Sequence, residues 1–234
     1  MNTHTSQLSL NWPSLLVLIR HGESEGNKYG HPQATMATGR PSHAFVLTDD
    51  GIEQARQAGE WIDTRFGSDS FDAYFASTYQ RTQETFAEMF RGRKKNGHQI
   101  EPIIDARINE ICRGYPGRLG EERIAAEFPE EAITYALNGW YHNIPLCGQS
   151  CVELEHIIHS FLAFLRETCN GKRVLIAGHG TWINLCCRIL TNRSISETEN
   201  LHYKKFYLNC GVTVFEKDKQ GHLRLTEENV KPWK

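Results

Sequence analysis

The chain has 234 residues, with 26 Lys and Arg against 28 Asp and Glu and 39% apolar residues. That length suits one α/β domain, and the near-neutral balance excludes the broad basic field of a nucleic-acid binder. No apolar run approaches the roughly 20 residues of a membrane-spanning helix, so neither nucleic acid nor membrane is an expected partner.

Residues 1–13 are polar up to Asn11 and lack the basic start and apolar centre of a signal peptide. They read as a flexible tail ahead of one domain over 14–234. Seven cysteines, an odd number without a C-x-x-C pair, favour reduced thiols and a cytoplasmic location.

Leu15 to Ile19 form an apolar run that stops at Arg20-His21-Gly22. Such a run reads as a buried strand of a mainly parallel sheet, and ligands of such sheets sit beyond the carboxyl ends of the strands. Arg20 offers a rigid fork of donors that fits a phosphate or carboxylate. His21 titrates near neutrality and in its neutral form can be a nucleophile or base. Gly22 lets the chain turn and approach a ligand closely. A charged, solvated strand end is the plainer reading of an Arg-His pair taken alone.

Residues 25–47 read as a long connection rich in Gly, Pro, His and Thr, and a connection of that length is more often functional than idle. It carries Asn27, His31, Thr38, Gly39, Arg40 and His43. Thr48 to Arg65 reads as a helix, with Thr48, Asp49 and Asp50 suited to its N-terminus. Phe71 to Ala76 is strand-like. Ser77-x-x-Gln80 has the form of a capping box, which places Arg81 near the start of the next helix. Arg93-Lys94-Lys95 reads as that helix's solvated exit.

Ile103-Ile104 is a further short strand, followed by Asn109-Glu110. Residues 111–149 are the least regular part, with a helix expected from Glu121 to Phe128. Ser150-x-x-Glu153 is a second capping box, opening a helix that buries Val152, Ile157, Ile158, Phe161, Leu162 and Leu165. His156 and His159 lie one turn apart on it, a spacing that can suit a metal, but no third ligand is evident and no metal is expected. Val174 to Ala177 is another apolar strand, ending in Gly178-His179-Gly180. The helix from Thr181 to Leu190 would aim its first N–H groups at an anion, with Cys186 and Cys187 read as core residues. Two late strands, Gly211 to Glu216 and Leu223 to Thr226, close the chain around a Gln220-Gly221 turn.

If the four strands ending near residues 20, 76, 104 and 177 are parallel neighbours, Arg20, His21, Arg81, Glu110 and His179 collect on one rim. The expected architecture is therefore α/β: a mainly parallel sheet with helices on both faces, in three layers.

The residues carrying this pattern also resemble a known family. Arg20-His21-Gly22-Glu23-Ser24 with Asn27, then Leu47-Thr48, Ser77, Arg81-Thr82, Glu84-Thr85, Asn109-Glu110, Gly178-His179-Gly180 and Asn209 to Val214 are similar, in order, to the histidine phosphatase superfamily. That superfamily includes the cofactor-dependent phosphoglycerate mutases, and the likeness spans about residues 14–216. It implies catalysis through a phosphohistidine: His21 as nucleophile, Arg20, Arg81 and His179 around the phosphate, and Glu110 as general acid and base. It also implies phosphate contact by Asn27 and a substrate-side pair at Thr38-Gly39. A small phosphorylated substrate is implied, with no cofactor. The 111–149 segment corresponds to the superfamily's variable insertion.

Two departures bear on the subfamily. Ile111-Cys112-Arg113 replaces a more aromatic and acidic local pattern, and Gly148-Gln149-Ser150 stands where many relatives read Gly-Glu-Ser. Arg113 has two open readings: it binds a second acidic group of the substrate, or with Arg118 it pairs with Glu121 or Glu122. Between Glu110 and Gly148 there is no lysine and no Arg-Arg pair. Mutases have both for a bisphosphorylated acid, so hydrolysis is favoured over mutation. A mutase, or an inactive binding protein on the same fold, are the alternatives. Oligomeric state is not legible.

Overall fold

The computed structural model describes residues 11–119, 121–204 and 206–234. Residues 1–10 of the expected tail lie outside the described residues, as do the side chains of Arg118 and Glu121, on which the expected pairing of Arg113 or Arg118 with Glu121 or Glu122 falls. The strands are β1 (Leu15–Arg20), β2 (Ala73–Ala76), β3 (Lys94–Lys95), β4 (His98–Gln99), β5 (Ile103–Ile104), β6 (Arg173–Gly178), β7 (Val212–Lys217) and β8 (Leu223–Val230). Six of them form one sheet in the order β5-β2-β6-β1-β7-β8. The first four run parallel, and β7 and β8 are antiparallel.

The alternation along β1 divides the core. Leu16 and Leu18 face one hydrophobic cluster, while Leu15, Val17 and Ile19 face the other, as the two-residue period of a strand requires. Every residue of β1 is buried, the signature of a parallel strand covered on both faces. The first cluster contains Ile158, Phe161, Leu162 and Leu165 of α8 (Cys151–Thr168) and Trp182 and Ile183 of α9 (Gly180–Thr191). The second contains Ala55, Ala58 and Ile62 of α3 (Asp49–Phe66) and Phe86 and Met89 of α4 (Gln80–Met89). The mainly parallel, three-layer α/β architecture is therefore the observed one.

The connection over 25–47 is largely helical: α1 (Glu25–Tyr29), α2 (His31–Thr38) and a 3-10 turn at Ser42–Ala44. Pro32 sits in the first turn of α2, where its missing N–H is harmless. The variable segment holds α5 (Pro116–Leu119), α6 (Glu121–Glu127) and α7 (Pro129–His142), and α10 (Ile195–Lys204) follows α9. It folds back on itself through Tyr115 N–H to the Leu146 carbonyl and Gln149 N–H to the Cys112 carbonyl. At the amino end, Trp12 packs on the first core cluster and its carbonyl accepts from Gly171 N–H. Residues 11–13 are thus tied down, in contrast to the loose tail expected through Pro13.

The Ser150–Glu153 capping box forms, and Thr48 caps α3 by accepting from Gly51 N–H. The box expected at Ser77 and Gln80 does not form. Tyr79 is the residue ahead of α4, and the Ser77 hydroxyl is engaged elsewhere, with His179 and Thr82. Nor are Arg93-Lys94-Lys95 a solvated exit: Arg93 pairs with Asp63, Lys95 Nζ donates to the Phe71 carbonyl, and Lys94–Lys95 pair with β4. No described helix is long and apolar enough to cross a membrane.

Candidate active site

Register brings the expected residues together. β1 and β6 align Arg20 with Gly178, and β2 and β6 align Ala76 with Ala177. The next residues on each strand, His21, Ser77 and His179, therefore leave the sheet along one rim. Arg20, His21, Arg81 and His179 are 8%, 4%, 3% and 0% exposed, so the cluster is cut into the protein and not spread on its surface.

Arg81 is the hub. Its Nε donates to His21 Nε2 at 3.0 Å, Nη2 donates to His179 Nδ1 at 3.2 Å, and Nη1 donates to the Ser42 carbonyl at 2.8 Å. Its guanidinium also lies over the Tyr79 ring, 4.7 Å from the centroid. A guanidinium has no acceptor, so both histidine nitrogens that face it must be unprotonated. The His21 ring proton is then on Nδ1, which donates to the Gly22 carbonyl at 2.7 Å. The His179 ring proton is on Nε2, which donates to Ser77 Oγ at 2.7 Å. Ser77 Oγ in turn meets Thr82 Oγ1 at 2.8 Å. The two imidazole centroids are 5.3 Å apart, edge to face.

The electrostatics agree with these proton positions. His21 titrates well below the ordinary histidine range, first through burial and then through the positive charge of Arg81 and Arg20. His179 is displaced the same way, again by burial first and then by Arg81 and Arg20. Burial pushes Arg20 and Arg81 down to about 10, with Glu110 opposing the shift. Both guanidiniums therefore stay charged at neutral pH.

Arg20 donates through Nη1 to the Tyr207 carbonyl, and its guanidinium lies over Phe206, 4.8 Å from the ring centroid. Its Nε is buried with no hydrogen-bond partner among the described residues. Glu110 Oε1 accepts from Ile111 N–H at 2.9 Å and Oε2 from Thr181 N–H at 3.3 Å. The start of α9, expected to face an anion, thus holds the Glu110 carboxylate, where the helix dipole favours negative charge.

Two glycines have different tasks from those expected. A Cβ on Gly22 would lie 2.5 Å from the Gly51 carbonyl oxygen, and one on Gly180 would lie 2.4 Å from the Phe206 ring. Close packing against α3 and against Phe206 demands glycine there, before any ligand is considered.

Asn27 lies beside the cluster. Its Oδ1 accepts from Ser24 N–H, Ser24 Oγ–H and Asn209 Nδ2–H. Thr38 and Gly39 close α2: Thr38 Oγ1 donates to the Ala34 carbonyl at 2.7 Å, and Gly39 takes φ 68°. Neither hydrogen-bonds to the histidine cluster. Arg113 is exposed and makes no ion pair among the described residues, yet its charge bears on Arg20, Arg81, His31 and His202. His31 is pushed down to about 4, by burial first and then Arg113, Arg81 and Arg20; His202 is also pushed to about 4, by burial and Arg113. His156 and His159 are exposed on α8. Among the described residues, no three His, Cys, Asp or Glu are grouped to hold a metal ion.

Sequence reasoning missed the segment 206–208 and gave Asn209 no part in the site. Tyr207 and Asn209 serve the site, Tyr207 through its backbone carbonyl, which no residue-type pattern reveals. Asn209 stood at the head of the motif Asn209 to Val214, so its side chain was open to earlier notice. His31 and His202 were also unassigned.

Comparison with known proteins places this geometry in a family. A 2,3-bisphosphoglycerate-dependent phosphoglycerate mutase of Rhizobium etli is 29% identical over 188 residues, covering 79% of this chain and 84% of that protein. The phosphoglycerate mutase-like protein AT74 of Arabidopsis thaliana is 38% identical over 244 residues, covering 94% of this chain and 72% of that one. The crystal structure of the alpha-ribazole phosphatase from Shigella flexneri superimposes with a TM-score of 0.75 at 23% identity, covering 94% of this chain and 98% of that one. The family model of the histidine phosphatase superfamily, branch 1, matches residues 16–229, and this chain belongs to that superfamily.

Proposed function

We propose that the protein is a metal-independent phosphatase that hydrolyses a small phosphomonoester through a phosphohistidine on His21. The observation that carries this reading is the neutral His21 ring, held by Gly22 through Nδ1 with its Nε2 lone pair turned to the guanidinium of Arg81. A buried, unprotonated imidazole nitrogen among fixed cations is what in-line attack on a phosphate dianion requires.

In the first step the Arg81 Nε–H turns from His21 Nε2 to a phosphate oxygen, and the freed Nε2 lone pair forms a bond to phosphorus while the ester P–O bond breaks. Glu110, in its acid form, passes its proton to the departing alcohol oxygen. In the second step water attacks phosphorus, Glu110 takes a proton from that water, and the N–P bond breaks to release phosphate and restore His21. Arg20, Arg81 and His179 surround the equatorial oxygens, where charge grows in the transition state. The unpartnered Arg20 Nε gains an acceptor when the anion arrives. Asn27, with Oδ1 already accepting three donors, presents its NH₂ to the same anion.

Arg113 is proposed to meet a second anionic group on the alcohol part of the substrate, since it is exposed, makes no ion pair among the described residues, and its field reaches both phosphate-side arginines. Hydrolysis is preferred to mutation because the segment from Glu110 to Gly148 has neither lysine nor an Arg-Arg pair. The mutase reading is favoured by the names of the sequence relatives. The test is aryl phosphate turnover in excess chelator, comparing the parent with His21→Ala. Chelator-resistant release of inorganic phosphate that vanishes in the variant is expected. Turnover lost to chelator overturns the metal-independent mechanism. Phosphoryl transfer to an acceptor acid without net phosphate release favours the mutase.

A further inference from the structure

We propose that Trp233 and Asn209 form a latch that positions two groups of the phosphate site at once, the His21 ring and the Asn27 amide. Its effect on turnover rests on the phosphohistidine reading above.

The contacts run in one chain. The Trp233 indole N–H donates to the Asn209 carbonyl at 2.7 Å. Asn209 Nδ2 donates to the His21 carbonyl at 3.0 Å and to Asn27 Oδ1 at 3.1 Å. Cys210 N–H donates to the same His21 carbonyl, and Arg20 N–H donates to the Gly211 carbonyl, both at 3.2 Å. The 209–211 turn therefore grips the backbone of the two residues that lead the site.

The turn closes through Gly211 N–H to the Leu208 carbonyl, and Leu208 N–H donates to Asn229 Oδ1, yet its geometry is demanding. Cys210 is fully buried with φ 52°, a left-handed conformation that non-glycine residues seldom adopt. Trp233 supplies an external hold. It packs against the core cluster that contains α3, and Lys231 Nζ lies 4.0 Å from its ring centroid. Next to it, Lys234 N–H donates to Gln57 Oε1 on α3. Trp233 touches no reacting atom in this arrangement; it acts through Asn209.

Two consequences follow from the bonding. Fixing the His21 carbonyl fixes the plane of the His21–Gly22 peptide, and the Gly22 carbonyl one residue further on accepts from His21 Nδ1. Filling Asn27 Oδ1 with an N–H donor fixes which end of that amide faces the pocket. Loss of the latch should therefore disturb both the nucleophile and anion binding.

The test uses Trp233→Phe, which keeps a packing ring but removes the donor, and Asn209→Ala. Three readouts are taken on the full chain: the ring nitrogen spectrum of His21, the affinity for inorganic phosphate, and kcat and KM on an aryl phosphate. The expected result for Trp233→Phe is a shifted His21 Nδ1 resonance and kcat lower by about fivefold, the scale of one neutral hydrogen bond. For Asn209→Ala, inorganic phosphate binds several-fold more weakly. The double variant should cost less than the sum of the two single losses, because both act on one turn. Unchanged His21 spectra and phosphate affinity in the folded variants overturn the latch, as does strict additivity. If Trp233→Phe does not fold, Asn209→Ala carries the spectral and affinity tests. If the parent fails to turn over aryl phosphate, the phosphatase reading fails while those two readouts still judge the latch.

Discussion

Arg81 Nε lies 3.0 Å from His21 Nε2, and this one hydrogen bond requires the facing nitrogen of the candidate nucleophile to be unprotonated. The same guanidinium reaches His179 and the Ser42 carbonyl. A lysine can supply the charge but cannot span three partners from one planar group. Arg81→Lys should therefore lower kcat by about a hundredfold or more, the scale of losing a preorganised transition-state donor. Steady-state kinetics on an aryl phosphate checks this, and a loss under about threefold would remove Arg81 from its central place.

In the proposed mechanism Glu110 protonates the leaving alcohol, so its importance should depend on the leaving group. Glu110→Gln should slow an alkyl phosphate by about 10²–10⁴-fold, the range of general acid catalysis. A nitrophenyl phosphate, whose leaving group departs without a proton, should be slowed far less. Equal losses on both esters would argue against the acid role.

Arg113→Ala should raise KM for phosphate esters that carry a carboxylate or second phosphate, by about tenfold. A simple aryl phosphate should keep its kcat and KM. The contrast between substrates is the readout, because a general electrostatic loss would affect both.

Four histidines in or around the site are held neutral by burial: His21 and His179 well below the ordinary value, His31 and His202 near 4. In the unfolded chain all four titrate near 6.5. Between these values the unfolded state binds more protons than the folded state, so stability rises with pH through that window. The contribution is complete above about pH 6.5 and is lost as pH falls toward 4 and below. Thermal unfolding should show a lower Tm at pH 5.5 than at pH 7.5. His202→Asn should reduce that difference, and a Tm flat across the interval would contradict the assignment.

Much of this was legible from sequence for identifiable reasons. β1 and β6 are apolar runs ended by Arg-His-Gly and Gly-His-Gly, and their burial on both faces goes with parallel pairing. The capping signals at Thr48 and Ser150 worked because those side chains had no stronger partner. Ser77 failed as a cap because His179 and Thr82 claim its hydroxyl, a tertiary effect that local spacing does not contain. The helices at residues 25–38 were missed because Gly, Pro and His obscure an apolar period. Tyr207 was invisible because it serves Arg20 through a backbone carbonyl.

The most direct test of the account is to trap the phosphoenzyme. Rapid mixing of the Glu110→Gln variant with an aryl phosphate, alkaline quench and peptide mapping would locate the phosphoryl group. The account predicts an acid-labile, alkali-stable phosphate on His21, absent in Asn-substituted His21 protein. Phosphate on any other residue, or turnover with no covalent phosphate on the chain, would contradict it.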